Sequence, residues 1–404
     1  MSLKEKIINV QNVLVDNLTN KGITGLEKTT TNTNGEISVN GTTLLSMANS
    51  VNSIKNDGIS INDSDIYLKN GILNLDGTTV EISEDSHDWT ELFKDKTNAI
   101  YANINPKTEV SSVKGMFNGC SKLNFIKADF SKLPNISGLY KNCTGLTDFP
   151  SLDYTKATDI TYLCEGCSNL KNFPTTHGIL NNTFDSATSV KGMFKDCTSL
   201  TNIIPFDTSH VTDFSEMFKG CTALTSVTTS YDCQASDGCW DPMTGWHYDK
   251  SKATNLDSMY EGCTSLTDAA VAKFDMGQAF TMNATFKNCT SFEMLANSIG
   301  SNVTSCNELF SGCSKLTNAG TIDMANVTSA TDMFKSCTKL TSAQLKNVKV
   351  NLDLSSTSLD HLSLMCIIDN YAGTGNQITL NDELRGELSD SEKTTASGKK
   401  IEFI

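Results

Sequence analysis

A short phrase that returns nine times constrains the fold of this chain more than any other sequence feature. It consists of a bulky apolar pair, two small or polar residues, a cysteine, Ser or Thr, any residue, and Leu or Phe. Its cysteines are Cys120, Cys143, Cys167, Cys197, Cys221, Cys263, Cys289, Cys313 and Cys337, at steps of 23, 24, 30, 24, 42, 26, 24 and 24 residues. Such a period predicts repeats that are too small to bury their own apolar faces and therefore stack on one another.

Each repeat carries the apolar spacing of a short helix followed by that of a strand. The helix-like spacing is seen at Val211, Phe214, Met217, Phe218 and Cys221. The strand-like stretch follows at Leu224-Thr225-Ser226-Val227, with its leucine inward and its Thr and Ser available to solvent. Periods of about 20 to 29 residues with spaced leucines are typical of leucine-rich repeats. We therefore predict an α/β fold, a leucine-rich-repeat solenoid of parallel strands plus short helices.

The cysteine count permits two interpretations. The chain contains 14 cysteines, of which nine occupy one position of the repeat. Free Cys is among the most buried residue types, which favours a reduced ladder of small core side chains. Strands of neighbouring repeats lie about 4.8 Å apart, so a disulfide-bridged ladder stays open as an alternative.

Composition and motifs exclude several classes of function. The net charge of −14 and the pI near 4.8 argue against nucleic acid and against an anionic membrane surface as partners. The five histidines lack a metal-ligand spacing, and no phosphate-binding loop or nucleophile elbow is visible. We therefore expect no enzyme activity, no cofactor and no metal. Charges near the N-terminus and the lack of a long apolar run indicate a chain that is not exported through a signal peptide.

The two ends differ from the repeats, so we divide the chain at 1–85, 86–345 and 346–404. The first region begins with apolar residues on one face of a helix: Leu3, Ile7, Val10, Leu14 and Leu18. That helix either packs on its own domain or serves for attachment and self-association, and a small β region follows it. The last region is predicted to cap the final repeat, whose core and sheet edge would otherwise be exposed.

The longest step holds an insertion at about 228–252, which has to leave the stack as a loop. It gathers six candidate binding residues: Tyr231, Trp240, Asp241, Trp246, His247 and Tyr248. Such aromatic side chains suit contact with sugar rings or a protein surface, although the two tryptophans could instead close a small core within the loop. Cys233 and Cys239 could form a disulfide there, and with His247 they supply only three of the four ligands of a zinc site.

The phrase of Met-Phe, Cys, Thr and Leu, alternating with pieces such as Phe206–Asp213, resembles the BspA-like leucine-rich repeat family over about residues 110 to 345. The opening residues, from Leu3 to Ile23, and the ending, from Leu362 to Asp390, are similar to bacteriophage tail and virion proteins of Gram-positive hosts. The resemblance implies a homo-oligomeric virion appendage, in a fibre, tail or head. It would bind other virion proteins through residues 1–85 and a host-surface glycan or protein through its repeats. A purely structural or decoration virion protein and a bacterial surface adhesin are the alternatives.

Overall fold

The fold is described from a computed structural model of the chain. Its description covers residues 30–31, 37–39, 42–43, 58–60, 72–73, 79–80, 88–97, 101–104, 110–128, 130–150, 152–171, 186–201, 203, 210–225, 253–267, 278–295 and 298–404. The elements and contacts given below belong to these residues.

Regular elements are short. The strands are β1 Thr30–Thr31, β2 Ile37–Val39, β3 Thr42–Thr43, β4 Gly58–Ser60, β5 Ile72–Leu73, β6 Thr79–Val80, β7 Tyr101–Ile104, β8 Phe125–Ala128, β9 Asn318–Asp323, β10 Ser342–Lys346, β11 Leu352–Asp353, β12 Gln377–Thr379 and β13 Glu402–Phe403. The helices are α1 His361–Asp369, α2 Asp382–Glu387 and α3 Asp390–Gly398. Before residue 88, β1–β2–β3 and β5–β6 form antiparallel sheets, while β4 pairs in parallel with β7.

Between residues 88 and 346, the chain stacks as repeats joined by parallel β-bridges. One bridging residue marks each of ten described repeats: Asp88, Ser112, Asn135, Asp159, Ser189, Asp213, Asn255, Thr281, Ser305 and Ser329. The stack thus begins one repeat before the first cysteine of the phrase, since Phe93 in the repeat of Asp88 stacks on Phe117. Together with the helices near the C-terminus, these parallel strands and bridges make an α/β repeat fold.

The segment between the bridging residue and the cysteine is a series of hydrogen-bonded β-turns. In the second described repeat, Met116 N donates to Val113 O and Cys120 N donates to Phe117 O, whereas the intervening Phe117 N donates to Leu139 O of the next repeat. Successive amides therefore alternate in their role. One closes a turn of three-residue span, and the next donates to the following repeat. Our prediction of a short helix in each repeat is wrong for the described repeats, and the described helices lie after residue 360.

The interior is a set of parallel columns of side chains. The repeat cysteines and the Leu or Phe that ends each phrase are all buried. The second apolar residue of the phrase builds an aromatic column, in which the rings of Phe194, Phe218, Tyr260, Phe286 and Phe310 succeed each other at 5.9, 5.7, 5.6 and 5.6 Å. The predicted inward positions are confirmed. These columns account for the stack, because each ring covers the apolar face of the repeat beside it.

Strands β8, β9 and β10 follow the leucine of the phrase as predicted, at Leu123, Leu316 and Leu340. Strand β7 lies in the repeat of Asp88, which lacks that leucine. The predicted strand at 224–227 is described only to Thr225.

The last region keeps the period of the repeats. β11, β12 and β13 pair in parallel, and their partners Leu352, Ile378 and Phe403 follow each other at 26 and 25 residues. Helix α1 precedes β12, and helices α2 and α3 precede β13. Helices thus replace the β-turns in this predicted cap, while parallel pairing continues. The domain boundaries at 85 and 345 stay predictions.

Candidate binding surface

The repeat cysteines are structural rather than chemical groups. Each thiol donates to a carbonyl of the preceding repeat: for example, Cys120 Sγ lies 3.1 Å from Phe93 O and Cys313 Sγ lies 2.9 Å from Phe286 O. Burial raises the pKa of Cys120 and of Cys337 to about 12. Because the thiolate is the nucleophile and the metal ligand, these protonated thiols are inert. All twelve described cysteines are free, so the structure supports the reduced ladder over the bridged one.

Threonines line three exposed columns along the stack. In one column, Thr304 Oγ1 donates to Phe280 O at 3.0 Å and Thr328 Oγ1 donates to Thr304 O at 3.0 Å. The other two columns follow the cysteine and the leucine, as in Thr144 Oγ1 to Ser121 O at 3.0 Å and Thr317 Oγ1 to Glu293 O at 3.0 Å. These hydroxyls therefore reach solvent as predicted, but their protons are engaged within the stack. Toward a ligand they offer acceptor lone pairs.

Ion pairs join neighbouring repeats on the β-turn segments. They are Lys141–Glu165 at 2.6 Å, Lys195–Glu216 at 2.6 Å, Lys219–Glu261 at 2.8 Å and Lys287–Glu308 at 2.7 Å. Burial alone raises the pKa of Glu261, but hydrogen bonds from Lys219 and Ser258 and the charge of Lys219 outweigh it, so that this pKa lies below its ordinary value. Such partly exposed pairs contribute little stability each, and they fix the charge pattern of this face.

Large apolar side chains break this polar surface at few places. In the part of the chain that the structure describes, the exposed ones are Phe280 at 51%, Met294 at 38%, Leu362 at 78% and Ile404 at 51%. Phe280 is the aromatic one, and the repeats on either side carry Thr254 and Thr304 at the same position. The sequence did not single it out, although the loss of a threonine at this position of the repeat was a visible signal.

The residues that we predicted for binding and attachment lie outside the described part of the chain. This holds for all six loop candidates, Tyr231, Trp240, Asp241, Trp246, His247 and Tyr248, and for the five helix positions, Leu3, Ile7, Val10, Leu14 and Leu18. Their roles stay predictions. The nearest described points to the loop are Thr225, which ends one repeat, and Ala253, which opens the next.

The described residues offer neither a metal centre nor a membrane span. Within the described ranges, no three His, Cys, Asp or Glu side chains come together as the ligands of a metal ion would. None of the described helices has the length and apolar character needed to cross a membrane.

Comparison with solved structures gives distant likenesses to leucine-rich repeat proteins. A leucine-rich repeat protein from Bacteroides ovatus is 15% identical with a TM-score of 0.37, over 95% of this chain and 99% of that one. A leucine-rich cell surface protein from Faecalibacterium prausnitzii is 14% identical with a TM-score of 0.23, over 69% of this chain and 83% of that one. Both TM-scores are low, so the fold described above rests on the contacts of this chain itself.

Sequence comparison is more specific. No curated protein matches the chain significantly. A family model described as "Mycoplasma protein of unknown function, DUF285" matches residues 135–246 and 241–348, which together make up more than half of the 404 residues. The matched segments cover most of the described repeats, including their cysteine, aromatic and threonine columns. The chain therefore belongs to the DUF285 family.

Proposed function

We propose that this chain is a non-enzymatic recognition protein, whose leucine-rich-repeat solenoid displays a regular surface to a glycan or protein on a cell. The observation that carries the proposal is that each repeat uses one set of residue types for the interior and another for the surface. Met, Phe, Cys and Leu are buried in the interior columns, whereas the threonines and the ion pairs recur at fixed positions of successive repeats, at or near the surface. Extended faces of this kind are what repeat proteins use for binding.

The threonine columns suit many weak contacts rather than one strong one. Each hydroxyl already donates to a carbonyl of the stack, so a ligand gains an acceptor at each repeat and little more. Affinity would then come from several copies acting together, which agrees with our prediction of a homo-oligomer carried on a particle or a cell surface. Residues 1–85 would attach the chain to its carrier, and the loop at 228–252 would add aromatic contacts.

Two carriers are compatible with this proposal. The resemblance of both ends to bacteriophage proteins favours a virion appendage, with other virion proteins as partners and a host-surface glycan or protein as the target. A bacterial surface adhesin would use the same face. Gold-labelled antibodies against the purified chain, applied to virions and to intact bacterial cells, separate the two carriers by which of them is labelled.

A structural or decoration protein is the candidate from another class, and the engaged threonine protons favour it. The full chain and a Trp240→Ala, Trp246→Ala variant are therefore incubated with host cells and the bound fraction is measured. Leu362→Ala serves as the matched control, because Leu362 is an exposed apolar residue in the last region. We expect the full chain and the control to bind cells and the double variant to bind less. If the full chain binds no cells, recognition fails and the structural role is favoured.

A further inference from the structure

One column of the stack carries an aromatic side chain among threonines. The column consists of the described residues directly before the bridging positions and is here called the outer column: Ser111, Pro134, Thr158, Thr188, Thr212, Thr254, Phe280, Thr304 and Thr328. Phe280 keeps the backbone bonds of the column, since its N–H donates to Thr254 O at 2.8 Å and its carbonyl accepts from Thr304 N at 2.8 Å. The backbone therefore accommodates Phe where its neighbours have Thr.

The ring of Phe280 is not needed for the interior. It is 51% exposed, whereas the aromatic residue that this repeat contributes to the core column is Phe286, which is fully buried. Exposing a phenyl ring to water is unfavourable by about 25 cal/mol for each Å² of apolar surface, and threonine would avoid this in the same column. A half-exposed ring at this place is thus better explained by a partner than by folding.

The residues beside Phe280 in the outer column and two positions before it are polar and uncharged. Gln278 is exposed, and Asn302 Nδ2 lies 3.4 Å from its Oε1 across the gap between two repeats. Thr254 and Thr304 flank the ring and donate their own protons to Thr212 O and Phe280 O, at 3.3 and 3.0 Å. In the described residues 278–283 and 302–307, no side chain carries a charge. The charged side chain that touches them is acidic, since Asp257 accepts from Asn283 N at 2.7 Å.

We propose that Phe280, Gln278 and Asn302 form a subsite for a neutral carbohydrate chain, which deepens the proposed recognition function and rests on it. The apolar face of a pyranose ring stacks on Phe280, while the two amides donate to and accept from its hydroxyls. Thr254 and Thr304 accept further hydroxyl protons on either side. Repeats are about 4.8 Å apart, close to the length of one sugar unit, so a chain that runs along the outer column meets one repeat per sugar.

A neutral carbohydrate fits better than a peptide or a charged polymer. The apolar surface is one ring rather than a contiguous patch of the size that protein interfaces bury. Anionic polymers would need basic side chains beside the ring, and the described residues of these two segments provide none. An amide pair beside an exposed ring provides the mixture of flat apolar contact and orienting hydrogen bonds that small-molecule sites use.

The test is titration calorimetry of the full chain with neutral hexasaccharides: α-1,4- and β-1,4-linked glucose, N-acetylglucosamine and mannose. The informative variant is Phe280→Thr, since it restores the residue of the neighbouring repeats and therefore preserves the fold. Met294→Thr is the matched control, because Met294 is the other exposed large apolar residue described in the same repeat. We expect at least one hexasaccharide to bind, Phe280→Thr to weaken it about tenfold, and Phe280→Trp and the control to retain it.

The subsite is overturned if no hexasaccharide binds, or if Phe280→Thr binds as well as the unaltered chain. Cell binding distinguishes this failure from failure of the proposed function. If the unaltered chain and the Phe280→Thr variant bind cells equally, recognition persists without this subsite, whereas a chain that binds no cells lacks recognition altogether. Loss of Phe280-dependent cell binding after protease treatment, with no loss after periodate oxidation of glycans, identifies a protein partner and also overturns the subsite.

Discussion

Two residues of every described repeat adopt left-handed backbone angles. The second of them directly precedes the cysteine position and has φ between 58° and 80° in all ten repeats. Its occupants are Asp95, Gly119, Asn142, Gly166, Asp196, Gly220, Gly262, Asn288, Gly312 and Ser336. Gly pays no steric penalty at positive φ, and Asn and Asp are the side chains that tolerate it best. The second of the two "small or polar" positions of the phrase, directly before the cysteine, is therefore set by its backbone conformation.

These residues also alternate for a packing reason. A Cβ built on Gly119, Gly166, Gly220 or Gly312 would collide with the side-chain oxygen of the Asp or Asn in the preceding repeat. An Asx side chain thus occupies the space above the next repeat, and that repeat must carry Gly. Gly262 is the exception, because it follows Gly220, and a Cβ there would come no closer than 3.8 Å to any atom of that glycine.

This contrast gives a prediction with a built-in control. Gly220→Ala and Gly262→Ala both place alanine at φ of 76°, which costs about 1 to 2 kcal/mol in either case. Only Gly220→Ala also displaces the Asp196 carboxylate, at about 1 kcal/mol more for an off-rotamer side chain. The free energy of unfolding from urea titrations should therefore fall further for Gly220→Ala. Adding Asp196→Gly should remove the difference, and equal losses in the two single variants would contradict the packing explanation.

At the scale of elements, the sequence predicted which residues point inward but not how the backbone holds them there. The spacing of Val211, Phe214, Met217 and Cys221 fits a helix, yet the same residues are brought inward by β-turns whose alternate amides bond to the next repeat. Three-residue steps are common to both conformations. The Gly and Asx residues before the cysteine distinguish the β-turns from a helix, because an α-helix has no positive φ in its interior.

Two parts of the chain stack like the repeats but were not predicted to do so, because they lack the cysteine phrase. The repeat of Asp88 has Lys96 where later repeats have cysteine, although its Trp89 and Phe93 are buried as in the others. The last region replaces the β-turns by helices, so the phrase disappears while the strand period persists. On the binding surface, the sequence repeat predicted the threonine columns. It did not predict the exposure of Phe280, because that depends on which side of the column faces solvent.

Two polar contacts join α3 to α1: Glu392 meets His361 at 3.1 Å, and Lys399 bonds to the end of α1. Lys399 ends α3, and its Nζ donates to Ile368 O at 2.9 Å and to Asp369 O at 2.8 Å, the last carbonyls of α1. Ile368 O also accepts from Tyr371 N, at the longer distance of 3.4 Å, and α1 has no basic residue in its last turn. A distant side chain thus caps the end of α1.

Lys399→Met should therefore loosen the end of α1 while preserving the aliphatic part of the side chain. We expect a loss of about 1 kcal/mol in stability, because two charge-assisted hydrogen bonds at a partly exposed site are removed. Hydrogen exchange should accelerate at Asn370 N, which donates to Cys366 O, and at its neighbours in the last turn. Lys393→Met on the same helix removes an equal charge outside this contact. The capping role is wrong if both variants exchange at the same rate.

Nine of the ten described repeats contribute a thiol to one buried column, and this column makes the stability of the stack depend on pH. An unfolded cysteine has a pKa of about 8.5. In the folded chain, burial raises the pKa of Cys120 and Cys337 in this column to about 12 and that of Cys289 well above its usual range. Above about pH 8.5 the unfolded state loses protons that the folded state retains. The stabilisation is therefore complete below that pH and is lost as the pH rises toward the folded pKa.

Alkaline destabilisation should scale with the number of thiols that unfold together. Between pH 7.5 and 9, a thiol whose pKa burial raises to about 12 removes about 0.8 kcal/mol from the free energy of unfolding, by linkage with an unfolded pKa of about 8.5. Urea titrations in a reducing agent at these two pH values measure the loss, below the range in which Tyr and Lys ionise. Cys289→Ser keeps a donor near Tyr260 O, which the thiol contacts at 3.0 Å, and it cannot ionise. Its loss should be about 0.8 kcal/mol smaller.

Thr290→Ser provides the control, because it changes the neighbouring residue without altering the number of titrating groups. Its pH dependence should equal that of the unaltered chain. Repeat arrays unfold through neighbouring interfaces, so the total loss between the two pH values also counts the thiols in one cooperative unit. A loss near that of a single thiol would mean that repeats unfold almost independently. A loss that is unchanged by Cys289→Ser would show that this thiol has the same pKa in the folded and unfolded states, contrary to its burial.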